Sequence, residues 1–324
     1  MAPGTCENRD VVNRALVSPS DERTSSKAPV AEQHGLGEAI SELTKARLTL
    51  MVLLTTLAGY ALASHGHFDW LLLFHTLLGT ALVAICSSIF NQALERDTDA
   101  FMRRTQSRPF VTKRLPLTPT IWIGVILGVA GLAELAWFVN GLTTLLAALT
   151  LIIYAFVYTP LKRVTELNTL VGTLPGALPP LMGATAATGH FTVEGWTLFG
   201  LLALWQLPHF YAIAWMNQDD YRAAGLKMVS TDDPTGKRTS MHAVVSALIL
   251  LPVSLLPSLL GHSGLFYGAV AGILSMVFIA SALCFSQTPD RAHARSLFFV
   301  SIIYLPLVLT ALAVDIPIKH YLGW

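Results

Sequence analysis

Charge is scarce in this 324-residue chain: 13% of its residues are Asp, Glu, Lys or Arg, against 53% hydrophobic. One soluble core cannot hide that much apolar surface, so a water-soluble globular class is excluded and lipid is the expected solvent. Cysteine is scarcer still. Cys6, Cys86 and Cys284 stand far apart, without CxxC spacing or an even count, which argues against a disulfide framework or a thiolate zinc site. No apolar segment with a small-residue cleavage site precedes the first long hydrophobic run, so a cleaved secretory signal is not expected. Glu7, Asp10, Asp21, Glu22 and Glu32 also set the N-terminal segment apart from mitochondrial presequences, which are poor in acids. The expectation is a bacterial inner-membrane protein.

About nine runs of bilayer-spanning length are present, near 43–64, 70–92, 118–138, 141–158, 167–187, 194–216, 241–261, 264–285 and 296–314. The pattern predicts an all-α polytopic membrane protein, a bundle of about nine transmembrane helices. The fifth run is the most interrupted, by Gly172, Pro175, Gly176, Pro179, Pro180 and Gly183, so neighbouring helices must satisfy its freed backbone groups. Net charge is only +1, so the total says little about partners; no nucleic-acid partner is expected. The distribution of charge is more informative. With the N-terminus cytoplasmic and the C-terminus outside, 20 of the 21 Lys and Arg fall on the inner side, and only Lys319 falls outside.

Residues 1–38 are polar and read as a disordered cytoplasmic tail; 39–324 read as a single transmembrane domain. Outer connections are short, whereas inner loops at about 92–117 and 217–240 are long and charged, and function is expected there. Asn91-Gln92 and Asn217-Gln218 close two helices four apart, a faint internal echo.

The stretch from Asn91 to Pro109 carries the strongest chemical signal. On a continuing helix Asn91, Glu95 and Asp99 stay within an arc of roughly 80°, so their oxygens can converge on one ion, while Asp97 points away. Hard oxygen ligands at a membrane surface suit Mg²⁺, which binds through one or two carboxylates plus substrate phosphates. If the helix continues, Arg104 and Arg108 lie one turn apart, and Lys45, Arg47, Lys162 and Arg163 emerge from other inner helix ends. Together they can clamp a diphosphate, although Lys and Arg at these positions also serve as ordinary inner-side anchors. In the second loop, Trp205, Gln206, His209, Asp220 and Tyr221 join membrane-depth groups to a surface acid pair. His209 can ligate a metal or a porphyrin iron, contact a propionate, or be a hydrogen-bonded core residue. The nearby aromatics suit either helix packing or a long apolar substrate. His65 and His67 read as surface residues.

Four phrases in order resemble the intramembrane aromatic-prenyltransferase superfamily, and within it the protohaem IX farnesyltransferase (haem O synthase) branch, from about residue 40 to 314. They are Leu43-Thr-Lys45-Ala-Arg47-Leu-Thr, Asn91 through Pro109, Tyr158-Thr-Pro-Leu-Lys162-Arg163, and Trp205-Gln-Leu-Pro-His209-Phe through Asp220-Tyr221. The resemblance implies that Asn91, Glu95 and Asp99 form the metal motif. It further implies that Arg104 and Arg108 are the basic positions after that motif, and that Lys162, accompanied by Tyr158, is the diphosphate-side lysine. Glu95 stands where much of the superfamily has Asp, and Ala46 replaces a Pro. Ala223 and Ala224 follow Asp219 and Asp220 where quinone-type members have a second Asp-xxx-Asp motif, which argues against metal ligation there and against a quinone precursor as acceptor. The implied reaction is Mg²⁺-assisted transfer of farnesyl from farnesyl diphosphate to a vinyl group of protohaem IX, with haem b as substrate rather than cofactor. A haem A synthase or terminal oxidase would be the downstream partner. Two rivals stay open at this stage, a 4-hydroxybenzoate or other quinone-precursor polyprenyltransferase and a non-catalytic transporter.

Overall fold

The computed structural model describes residues 35–322, with side chains described as far as residue 315. Most of the expected tail, residues 1–34, and the side chain of Lys319 therefore lie outside the described residues. Twelve α-helices follow in order, and among the described residues there is no strand. They are α1 (Leu36–Leu43), α2 (Ala46–Ala63), α3 (Trp70–Asp99), α4 (Leu117–Phe138), α5 (Gly141–Ile152), a π-helical turn Ile153–Tyr158, α6 (Thr159–Leu161), α7 (Asn168–Thr188), α8 (Val193–Met216), α9 (Gln218–Ala223), α10 (Lys237–Leu259), α11 (Leu265–Gln287) and α12 (Arg291–Leu322). Counting 141–161 as one run, the nine apolar segments each become a long helix. Eight are long and apolar enough to cross a bilayer, which makes the chain a multi-pass membrane protein.

The ninth, α7, is the interrupted run, and its position explains its composition. Fifteen of its 21 residues are buried, so it faces other helices rather than lipid. Inside a bundle small residues and prolines are tolerated, because close packing replaces lipid contact and neighbours supply hydrogen bonds. The crossing of α2 and α7 is the tightest example. A Cβ on Gly59 would stand 1.9 Å from the Pro180 carbonyl oxygen, and one on Gly183 would stand 1.9 Å from the Thr56 carbonyl oxygen. Only two glycines let these backbones approach so closely.

Two boundaries differ from the sequence expectation. The first apolar run was expected to begin near 43 after a polar tail, yet residues 36–43 form a separate helix that buries Ala39 and Leu43. Lys45 then adopts a left-handed conformation, φ 46°, which breaks α1 from α2 and turns the lysine side chain inward. The helix carrying Asn91 does continue to Asp99 as expected, but it stops there, and residues 100–116 form a series of turns. Arg104 and Arg108 are therefore not one helical turn apart, and loop geometry alone decides where each points.

The second inner loop is folded rather than free. Met102, Tyr221, Leu226 and Met228 bury one another, joining it to the first loop. Lys227 N–H donates to the Lys162 carbonyl at 2.7 Å, and Asn168 Nδ2 donates to the Lys227 carbonyl at 2.6 Å. Asp233 accepts from the Thr239 N–H and hydroxyl at 2.8 and 2.9 Å, anchoring the start of α10. Burial alone would raise the Asp233 carboxyl, but these hydrogen bonds outweigh it and hold the group below its usual range. A lowered folded pKa stabilises the protein above the unfolded value, and that contribution is lost as pH falls through the folded one. Asp233→Asn is accordingly expected to lose on the order of 1 kcal/mol at pH 7, with the difference from wild type in apparent melting temperature shrinking in acid.

Candidate active site

The start of α2, the end of α3 and the end of the 141–161 run meet where the inner charges collect. The last two turns of α3 carry Asn91, Glu95 and Asp99, all buried, with the Asp99 side chain only 1% exposed. Each oxygen but one faces a partner. Asn91 Oδ1 accepts from Lys45 Nζ at 2.6 Å, and Glu95 Oε1 accepts from Lys162 Nζ at 2.6 Å. Arg108 Nη1 lies 2.5 Å from Asp99 Oδ2 and 3.4 Å from Glu95 Oε2. Asp99 Oδ1 is buried with no hydrogen-bond partner, an unusual expense for a carboxylate oxygen unless something else meets it. The local fold explains the arrangement: the αL break at Lys45, the turn that brings Arg108 back under α3, and the end of the 141–161 run each deliver one cation.

The two lysines are held differently, for a reason visible in their partners. Burial, then repulsion from Arg108, pushes Lys45 down to about 7, because its hydrogen-bond partners Asn91 and Tyr154 are neutral. Burial also works against the Lys162 charge, but Glu95, with Tyr158 and Tyr154 behind it, outweighs that and holds the ammonium above its usual range. Arg108, between two carboxylates, is likewise raised.

Below this cluster lies a cavity of about 240 Å³. Lys45, Lys162, Tyr154 and Tyr158 line its charged end; Val52, Val83, Ala147, Pro179 and Met182 line its depth. From Gly172 to Met182 it follows ten residues of α7, about 15 Å at the helical rise. An anion site opening onto a narrow apolar pocket fits a molecule with a charged head and a long hydrocarbon tail. The oxygen set is hard, which suits a magnesium ion. Along α3, Asn91 and Asp99 are separated by about 12 Å of helical rise, with Glu95 midway between them, so a metal at this end of α3 would be held by Glu95 together with one or both of its neighbours. Among the described residues no group of three or more His, Cys, Asp or Glu side chains is placed to hold a metal ion.

Other residues singled out from the sequence are placed as follows. Arg104 is exposed and lies 3.4 Å from the Tyr221 hydroxyl, linking the two loops rather than facing Glu95. Arg163 is exposed and donates to the Leu94 carbonyl on the outside of α3. Asp220 is half-buried on α9, and exposed Asp219 pairs with Arg222. On α8, Gln206 lines the cavity and donates to the Leu202 carbonyl at 2.9 Å. Trp205 and His209 turn toward α12, where both bond Ser301 at 2.7 Å and His209 is stacked between Trp205 and Phe298. Neither lines the cavity. Two residues not singled out by the sequence touch the cluster: Tyr154, at the charged end of the cavity and bonded to Lys45, and Thr159, bonded to Asn91. Their signal was a pair of tyrosines four apart in an aliphatic run, followed by Thr-Pro. The turn is π-wound, which aims Tyr154 and Tyr158 into the same space.

Comparison with known proteins agrees with this architecture. The protoheme IX farnesyltransferase of Solibacter usitatus is 40% identical over 285 residues, covering 85% of this chain and 98% of that protein. That of Myxococcus xanthus is 41% identical over 275 residues, 84% and 92% respectively. Among solved structures, a digeranylgeranylglyceryl phosphate synthase superposes with a TM-score of 0.74 at 18% identity, covering 86% of this chain and 98% of its own. A UbiA homologue from Archaeoglobus fulgidus bound to GPP and Mg²⁺ gives 0.61 at 16% identity, covering 85% and 99%. Residues 52–303 match the sequence model of one family, and with these relatives the chain belongs to the UbiA prenyltransferase family.

Proposed function

We propose that this protein transfers the farnesyl group of farnesyl diphosphate to a vinyl group of protohaem IX, forming haem O and diphosphate. The acceptor is supported by relatives named protoheme IX farnesyltransferase that match most of this chain at 36–41% identity. The observation that carries the chemistry is the half-buried cluster in which Lys45 and Lys162 line the charged end of an apolar cavity and Arg108 joins them through Glu95 and Asp99.

Magnesium would be held by Glu95 with Asp99 or Asn91, and when bound it supplies charge neutralisation for the leaving diphosphate. The unpartnered Asp99 Oδ1 is the feature that best fits it. The chain's own cations do the remaining electrostatic work: Lys45, Lys162 and Arg108 offer donors to phosphate oxygens as the carbon–oxygen bond breaks and its electron pair departs with diphosphate. The aliphatic walls exclude water from the allylic cation, and the Tyr154 and Tyr158 rings present electron-rich faces beside it. The vinyl terminal carbon then forms the new carbon–carbon bond; water adds at the adjacent carbon and loses one proton. In cells, we place the protein in a bacterial inner membrane with the 92–117 and 217–240 loops cytoplasmic, serving a terminal oxidase. The inner-side concentration of Lys and Arg supports that orientation.

The deciding experiment incubates purified, detergent-solubilised protein with haem b, farnesyl diphosphate and Mg²⁺, with and without chelator, and separates haems by chromatography and mass. Farnesylated haem that disappears with chelator is the expected result. Folded protein that yields none, but prenylates 4-hydroxybenzoate, would replace the acceptor. Ala147, fully buried where it borders the cavity, tests the tail pocket. Ala147→Phe is expected to lower kcat/KM for farnesyl diphosphate by roughly tenfold or more, and that for geranyl diphosphate by less, on the scale of pocket discrimination.

A further inference from the structure

An asparagine offers a site either oxygen or NH₂, depending on which way its amide is turned. At Asn91 two neighbours set it, the donor-only ammonium of Lys45 and, outside the charged cluster, Thr159. Thr159, the first residue of α6, is 3% exposed, and its hydroxyl oxygen lies 2.8 Å from the Tyr154 carbonyl and 2.9 Å from Asn91 Nδ2. That hydroxyl has a single proton, and a carbonyl can only accept, so the proton goes to Tyr154. The same carbonyl takes the Thr159 backbone N–H, the π-type bond that closes the turn. Pro160 follows and has no N–H with which to loosen this arrangement. With its proton committed, the Thr159 oxygen is left as an acceptor. Asn91 must give it an N–H, and Asn91 Oδ1 is then the atom left facing Lys45 at 2.6 Å. The reverse orientation would put NH₂ against an ammonium and oxygen against oxygen, two mispaired contacts in a buried site.

We propose that Thr159 is a positioning residue: through the π-turn it fixes the Asn91 amide so that the metal and diphosphate site is presented with oxygen. This rests on the reading of Asn91 as part of that site. The role differs from packing, because it depends on the hydroxyl's hydrogen bonds and not on its volume. Thr159→Val keeps the shape and removes the hydroxyl, Thr159→Ser keeps the hydroxyl, and Asn91→Asp makes the two side-chain atoms equivalent, so that there is no longer an orientation to set.

The test measures Mn²⁺ bound to the full-length, detergent-solubilised protein in the presence of inorganic pyrophosphate, by electron paramagnetic resonance, alongside thermal melting. Thr159→Val is expected to weaken Mn²⁺ binding about tenfold, roughly 1.4 kcal/mol, and Thr159→Ser by less than about twofold. In an Asn91→Asp background Thr159→Val is expected to change binding little. Wild-type binding in Thr159→Val, with Asn91→Ala weakened, would overturn this inference and leave the site reading intact. An equal loss from Thr159→Val in both backgrounds would also overturn it, as a structural effect. Wild-type binding in Asn91→Ala would overturn the reading of Asn91 and this inference with it. Should the valine variant not fold, Thr159→Cys, a weak donor and weak acceptor, is read against the same outcomes.

Discussion

Glu95→Gln is expected to lower turnover by about a thousandfold or more, the scale of losing charge stabilisation at a developing anion, while the protein still inserts. Glu95 is the hub of the cluster: its two oxygens meet Lys162 at 2.6 Å and Arg108 at 3.4 Å. Glutamine keeps the length and one acceptor, so the fold survives, but it removes the charge a divalent ion requires. The same change should strengthen the binding of pyrophosphate added without metal, because Lys162 and Arg108 are released from a carboxylate and the site gains net positive charge. Turnover and metal-free anion binding thus move in opposite directions, a signature that general unfolding cannot produce. Chromatographic haem assays and calorimetry with pyrophosphate read the two quantities. Undiminished turnover, or anion binding that falls in step with it, would remove Glu95 from the metal site.

The second large effect is architectural. Gly59 and Gly183 sit at the crossing of α2 and α7, and at each the atom an added Cβ would strike is a backbone carbonyl oxygen at 1.9 Å. A flexible side chain can rotate away from such a clash; a backbone cannot, so the helices must separate. Gly183→Ala is expected to cost about 3 kcal/mol or more, lowering the apparent melting temperature by roughly 6 °C or more, and Gly183→Leu is expected to yield no monodisperse protein. Gly37→Ala, at a position with nothing within 4 Å, is the comparison that should melt like wild type. Because Val52 on α2 and Pro179 and Met182 on α7 face each other across the tail pocket, the alanine variant should also lose activity toward long prenyl donors. An unchanged melting temperature in Gly183→Ala would mean that the crossing is looser than described.

Much of this was legible before the fold, and the division follows physical lines. Long apolar runs announce helices because bilayer length and backbone hydrogen bonding leave few alternatives, so nine segments became nine helices. The 91–95–99 register was readable for the same reason, since helical period fixes which side chains share a face. What escaped was set by loops and by non-α backbone. Arg104 and Arg108 have identical side chains only four residues apart, yet turns over 100–116 send Arg108 to Glu95 and Asp99 and Arg104 to Tyr221. Helix α1 was hidden because eight residues, four of them apolar, sit next to a polar segment. Trp205, Gln206 and His209 looked like one group, but a helix spreads adjacent residues around its axis, and only Gln206 lines the cavity. Tyr154 reaches the site because of a π-turn, which no periodicity argument predicts.

In the proposed reaction, the ion pairs already present in the cluster would shape turnover. Product diphosphate left among Lys45, Lys162 and Arg108 would be a strong inhibitor in any site that offered those cations nothing else. Here Glu95 and Asp99 stand within bonding distance of Lys162 and Arg108, so in the proposed reaction the departing anion would be exchanged for internal partners instead of leaving bare charges in a low-dielectric pocket. The same carboxylates would then serve both halves of the cycle: they would hold the ion that helps break the substrate, and afterwards compete with the product for its binding groups.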